Sequence, residues 1–195
     1  MSAGVLVLHA WWGLNDDVRA SAERLRREGY TVITPDLYGG KVANTIQGAE
    51  ALAKGMDQPR AAAEADRALT ELTKKSEGVA VLGWSLGASY GWELAHKRAG
   101  DIRGFITYYG LGDVDAAAAL PPILYHFAEH DEFDSADDVR RTEQKLLAAG
   151  RDAKFHIYPG TKHWFDEPSR PEFDKKASAL AWERTLAFLD TQLRR

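Results

Sequence analysis

The chain has 195 residues, 45% of them hydrophobic and 28% charged, a balance suited to a globular protein with one substantial core. Its formal charge of −4, with the signs interspersed, offers no basic face to nucleic acid and no polybasic segment to anionic lipid. The lack of cysteine excludes disulfides, thiolate metal sites and a cysteine nucleophile, and gives no reason to expect an oxidising compartment.

Short β-rich apolar runs alternate with amphipathic helical stretches. Gly4 to His9 predicts the first strand. The amino terminus as far as Ala10 lacks a basic n-region and is interrupted by His9, so it does not read as a secretory signal, and a cytoplasmic location is expected. Asp16 to Glu28 places Val18, Ala22 and Leu25 at helical spacing, with Gly29 as a stop. Then follow a strand over Tyr30–Thr34, helices over Ile46–Lys54 and Arg60–Lys75, and a strand over Gly78–Leu82. A helix over Leu86–Arg98 leads to a strand over Gly104–Tyr109, a helical turn over Ala116–Ala119 and a strand over Ile123–Ala128. A helix over Ala136–Ala149, a strand over Lys154–Tyr158 and a helix over Lys175–Leu193 complete the chain. No run approaches the roughly 20 apolar residues that span a bilayer. Without repeats or linkers, the pattern predicts one α/β domain over residues 1–195: a compact, mainly parallel sheet of six strands with helices on both faces. Ligands in such sheets bind beyond the carboxyl ends of the strands.

Gly83-Trp84-Ser85-Leu86-Gly87 stands between a predicted strand and helix. In that setting the glycines permit a sharp turn that presents the Ser85 hydroxyl at the sheet edge, whereas a serine that merely caps the helix is the plainer alternative. A serine hydroxyl must lose its proton during attack, which calls for a histidine with an acid behind it, in the order serine, acid, histidine. The strand Ile123–Ala128 empties into Glu129-His130-Asp131-Glu132-Phe133-Asp134. Asp131 is the preferred acid and Glu129 and Asp134 are its competitors, because Asp137 and Asp138 suit the first turn of a helix. His163 follows the last strand and is the preferred base. His96 falls on a helix, His126 and His156 lie within strands, and His130 precedes the acid. A tetrahedral intermediate needs N–H donors, expected from Leu86 and from Trp11 after the first strand. The side chains of Trp12, Tyr38, Trp84 and Trp164 are expected to line an apolar substrate pocket.

Val5-Leu6-Val7-Leu8, Trp11-Trp12-Gly13-Leu14-Asn15, Gly29-Tyr30, Pro35-Asp36-Leu37-Tyr38, Gly83-Trp84-Ser85-Leu86-Gly87, Tyr108-Tyr109-Gly110 and His163-Trp164-Phe165 together resemble the dienelactone hydrolase family. The resemblance covers nearly the whole chain and implies an α/β-hydrolase fold, with Asp131 and His163 as triad members. Three departures stand out. Ser85 occupies the place of the family's usual cysteine. Ala10 falls where a glutamate helps to generate the thiolate, a device that a serine activated by His163 does not need. The arginine that holds the lactone's carboxylate aligns with Glu167 or its neighbour Asp166, and a negative residue there is expected to repel dienelactone.

The expected reaction is hydrolysis of a small ester, lactone or thioester through an acyl-enzyme, with no cofactor and with a neutral, apolar or aromatic substrate favoured over dienelactone. A catalytically inactive binding protein on the same fold and an acyltransferase with the same triad are the alternatives. A metal site at His126, His130, Glu129, Asp131, Glu132 and Asp134 is the weaker reading, since a triad acid and a solvated loop account for that cluster. A monomer or small homo-oligomer is expected.

Overall fold

The computed structural model describes residues 1–194. Its strands are β1 (Gly4–Leu8), β2 (Thr31–Ile33), β3 (Val79–Trp84), β4 (Gly104–Tyr108), β5 (Ile123–His130) and β6 (Ala153–Lys162). Its helices are α1 (Asp16–Arg27), α2 (Ile46–Lys54), α3 (Gln58–Lys75), α4 (Leu86–Lys97), α5 (Ala136–Ala148) and α6 (Lys175–Leu193). The strands form one sheet in the order β2-β1-β3-β4-β5-β6, and every pairing is parallel. The alternating pattern predicts such a parallel sheet, and the resemblance implies its α/β-hydrolase type.

The near-continuous apolar strands are explained by cover on both faces. Val5 and Val7 of β1 pack with Val18 and Leu25 of α1 and with Trp182 and Leu189 of α6. Leu6 and Leu8 point the other way, into a layer with Leu69 and Leu72 of α3, Trp92 of α4 and Leu146 of α5. Burial of each such side chain contributes about 1.5–3 kcal/mol, so the alternation within one short strand ties both helical layers to the sheet.

Helix starts follow side-chain caps. Asn15 accepts from Val18 N at 3.1 Å, Asp57 from Arg60 N at 3.0 Å and Ser135 from Asp138 N at 3.1 Å. The Asp57 cap starts α3 at Gln58, two residues before the expected Arg60, because Pro59 sits in the first turn, where its missing N–H costs nothing. The larger difference is at the last strand. Pro159 and Gly160 read as the start of a loop, yet β6 runs to Lys162. It is an edge strand, where proline is tolerated, and its far end pairs with the lengthened β5 beyond a bulge at Ala128/His130. Asp131 and His163 therefore each follow immediately on the end of a strand.

Candidate active site

Ser85 lies between the end of β3 and the start of α4 with φ 49° and ψ −112°. A positive φ at a non-glycine residue stores about 1–3 kcal/mol and persists only where its surroundings enforce it. Here they do. Ser85 N donates to Tyr108 O at 3.0 Å, and the chain on either side is packed backbone to backbone. A Cβ at Gly83 would stand 2.7 Å from Ala88 N, and one at Gly87 would stand 2.6 Å from His9 O.

His163 Nε2 lies 2.9 Å from Ser85 Oγ, and His163 Nδ1 lies 2.9 Å and 2.8 Å from the two oxygens of Asp131. The Asp131 side chain is fully enclosed and that of His163 is 5% exposed. Asp131 Oδ1 also accepts from Phe133 N at 2.9 Å and Asp134 N at 3.2 Å, so the loop's own backbone orients the carboxylate. The competing carboxylates are engaged elsewhere. Glu129 accepts from Gly160 N, while Asp134 accepts from Leu111 N and the Tyr125 hydroxyl, and burial raises its pKa. The structure thus brings Ser85, His163 and Asp131 into one hydrogen-bonded line.

The other histidines do not converge on that line. His126 is buried, bonded to the Tyr158 hydroxyl and Thr185 Oγ1, with burial holding its pKa well below the ordinary value. His156 stacks on it, His96 faces Trp92 O, and His130 is exposed. Of the two imidazoles of the metal reading, His126 is thus buried and His130 exposed.

Leu86 is the first residue of α4, where a helix leaves its N–H groups free. Trp11 belongs to the turn after β1 that ends where Asn15 caps α1. Among the described residues neither N–H donates to a protein acceptor.

The aromatic residues named from the sequence lie inside the protein. Trp12, Tyr38, Trp84 and Trp164, expected to line a pocket, are all buried. Trp84 stacks on Tyr108 and donates from Nε1 to Asp166 at 2.9 Å, on the strand face opposite to an exposed site. Trp12 lies under the Arg170 guanidinium at 3.8 Å, and Tyr38 packs on His9. Trp164 backs Trp11, with the two rings stacked at 6.2 Å. The exposed aromatic surface is instead Phe133, 58% exposed, whose ring lies 4.6 Å from His163 and 6.5 Å from the partly exposed Trp11. Its signal in the sequence was an apolar residue alone in the acidic loop that holds Asp131. Tyr109, with φ 36°, packs against His163 at 4.8 Å.

Asp166 and Glu167 also differ from expectation. Glu167 accepts from the Tyr109 hydroxyl at 3.0 Å, and burial pushes its pKa up to about 8. Asp166 accepts from Trp84 and Ser178, and burial pushes it up to about 6. Both carboxyls are buried and are held by Tyr109, Trp84 and Ser178 rather than standing on an exposed surface. What remains is that position 167 supplies no cation.

The sequence model of the dienelactone hydrolase family matches residues 1–193. Protein usf of Aquifex pyrophilus is 30% identical over 97% of this chain and 88% of its own length. Carboxymethylenebutenolidase 1 of Cupriavidus pinatubonensis is 26% identical over 95% of this chain and 84% of its own. A solved structure of a dienelactone hydrolase-like promiscuous phosphotriesterase from metagenomic libraries superposes with a TM-score of 0.82 at 20% identity, covering 99% of this chain and 87% of that one. At that identity the likeness concerns the fold.

Proposed function

The chain belongs to the dienelactone hydrolase family and is a hydrolase acting on ester bonds, and from that premise we propose that it cleaves a small neutral ester, lactone or thioester through an acyl-enzyme on Ser85. The observation that carries this reading is the line Ser85 Oγ, His163 Nε2, His163 Nδ1, Asp131. As Ser85 Oγ attacks the carbonyl carbon, His163 Nε2 takes its proton, and Asp131 stabilises the imidazolium. The N–H groups of Leu86 and Trp11 receive the oxyanion. Collapse expels the alcohol or thiol, which takes the proton back from His163. Water then attacks the acyl-enzyme with His163 again as base, releasing the acid and restoring Ser85.

A fluorophosphonate ester tests the nucleophile. Mass spectrometry of the treated protein is expected to find one adduct, on Ser85, with hydrolysis lost in proportion to labelling. Full labelling at another residue, or full activity after Ser85 is blocked, would remove the proposal.

The substrate class follows from Phe133 and Trp11, an exposed aromatic surface beside the catalytic imidazole, and from the lack of a cation at position 167. Aryl esters are expected to be preferred over dienelactone. Aromatic pairs contribute about 0.5–1.5 kcal/mol, so Phe133→Ala is expected to raise KM for phenyl acetate by about two- to tenfold while leaving ethyl acetate little changed. Equal effects on both esters, or dienelactone turnover comparable with that of phenyl acetate, would contradict this assignment.

A further inference from the structure

His9, the residue after β1, is fully buried and makes two polar contacts, both with backbone. Its Nε2 lies 3.0 Å from Leu37 N, and its Nδ1 lies 2.8 Å from Ala10 O. A backbone N–H can only donate, so Nε2 is the acceptor. A neutral imidazole has one acceptor and one donor, so Nδ1 carries the proton and donates to the Ala10 carbonyl. That carbonyl also accepts from Gly13 N at 3.1 Å.

The peptide that holds the Ala10 carbonyl also holds the Trp11 N–H. In a planar trans peptide these two groups point in opposite directions, so donors that hold the carbonyl on one side aim the N–H to the other. Rotation of this peptide would break both bonds at once. We propose that His9 is a positioning residue for the oxyanion hole: by bridging the Ala10 carbonyl and the Leu37 amide, it sets the direction of the Trp11 N–H.

Both ends of the bridge are anchored. Leu37 is buried, and its carbonyl accepts from Arg60 Nη2 at 2.9 Å. The His9 carbonyl packs against Gly87 of the nucleophile turn, so the segment that supplies one donor touches the helix that supplies the other. Burial lowers the His9 pKa despite the opposing charge of Asp36, which keeps the ring in the neutral form that the bridge requires. A purely space-filling histidine would need neither bond. It would affect folding without distinguishing ground state from transition state.

This inference rests on the proposed serine mechanism, so the test first establishes Ser85-dependent hydrolysis of p-nitrophenyl acetate in the parent. His9→Leu removes both bonds, whereas in His9→Gln an amide N–H and a carbonyl can replace them. Loss of one oxyanion donor costs about 10²–10³ in kcat, and His9→Leu is expected to lose about 100-fold with KM within about threefold of the parent. An aryl trifluoromethyl ketone, whose serine adduct carries an oxyanion, is expected to bind the variant about 100-fold more weakly. His9→Gln is expected to regain at least about tenfold in both measurements. If His9→Leu does not fold, His9→Asn, too short to hold both partners, is judged by the same criteria. A folded variant with near-parent kcat, or a kcat loss with unchanged ketone affinity, overturns the role of His9 alone. A parent without Ser85-dependent turnover overturns the mechanism and the inference with it.

Discussion

Ser85→Ala is expected to lower kcat for p-nitrophenyl acetate by about 10⁶-fold, the scale on which a serine and its histidine act as one unit. At 1.36 kcal/mol per factor of ten this corresponds to about 8 kcal/mol of transition-state stabilisation. The residual rate would come from the oxyanion donors and binding alone. The fold is expected to survive. Alanine retains the Cβ that makes φ 49° costly, and the substitution removes only the hydroxyl and its 2.9 Å contact with His163. Ser85→Gly supplies a control with the opposite sign in stability, since glycine relieves a positive φ by about 1 kcal/mol. A gain in Tm accompanied by the same loss of hydrolysis is therefore expected. Folded Ser85→Ala protein that hydrolyses at near-parent rates would end the assignment.

The elements and residues that could be read from the sequence were those that depend on local pattern. The five buried residues of β1 and the spacing of Val18, Ala22 and Leu25 report burial directly, because a parallel strand is covered on both faces and a helix on one. The sharp turn at Gly83-Trp84-Ser85-Leu86-Gly87 was legible because its glycines are required by close backbone approach, as Gly83 and Gly87 show. What could not be read depends on which strand is an edge and which face a side chain takes. The strand was expected to end at Tyr158, before Pro159, yet proline is harmless on β6, which has a partner on one side only. Trp84, the last residue of β3, turns its indole inward to Asp166 although it adjoins Ser85 in sequence. Glu167, one of the two positions where the resemblance implies a substrate-binding arginine, turns inward to Tyr109. Composition marks such groups as charged, and only packing shows that they are core. The same limit hid His9, whose two backbone partners lie one and twenty-eight residues away.

Asp131→Asn is expected to cost about 10⁴-fold in kcat, through the tautomer of His163 and without displacement of any side chain. Asp131 Oδ1 accepts from Phe133 N and Asp134 N, and both carboxylate oxygens reach His163 Nδ1. An asparagine must keep its carbonyl oxygen toward those two loop N–H groups, because its NH₂ cannot accept from them. The NH₂ then faces His163 Nδ1 from the position of Oδ2, 2.8 Å away. It donates to that nitrogen and forces the imidazole proton onto Nε2, which is then a donor toward Ser85 and cannot take its proton. Fluorophosphonate labelling of Ser85 is expected to slow by a comparable factor, with circular dichroism unchanged. Asp134→Asn serves as the comparison. Its retained carbonyl oxygen can still accept from both Leu111 N and the Tyr125 hydroxyl, so it is expected to change kcat and Tm little. If Asp131→Asn stays within about tenfold of the parent while Asp134→Asn loses about 10⁴, the acid role passes to Asp134. The contrast decides between neighbouring carboxylates because both lie in the same loop and differ in what their oxygens already hold.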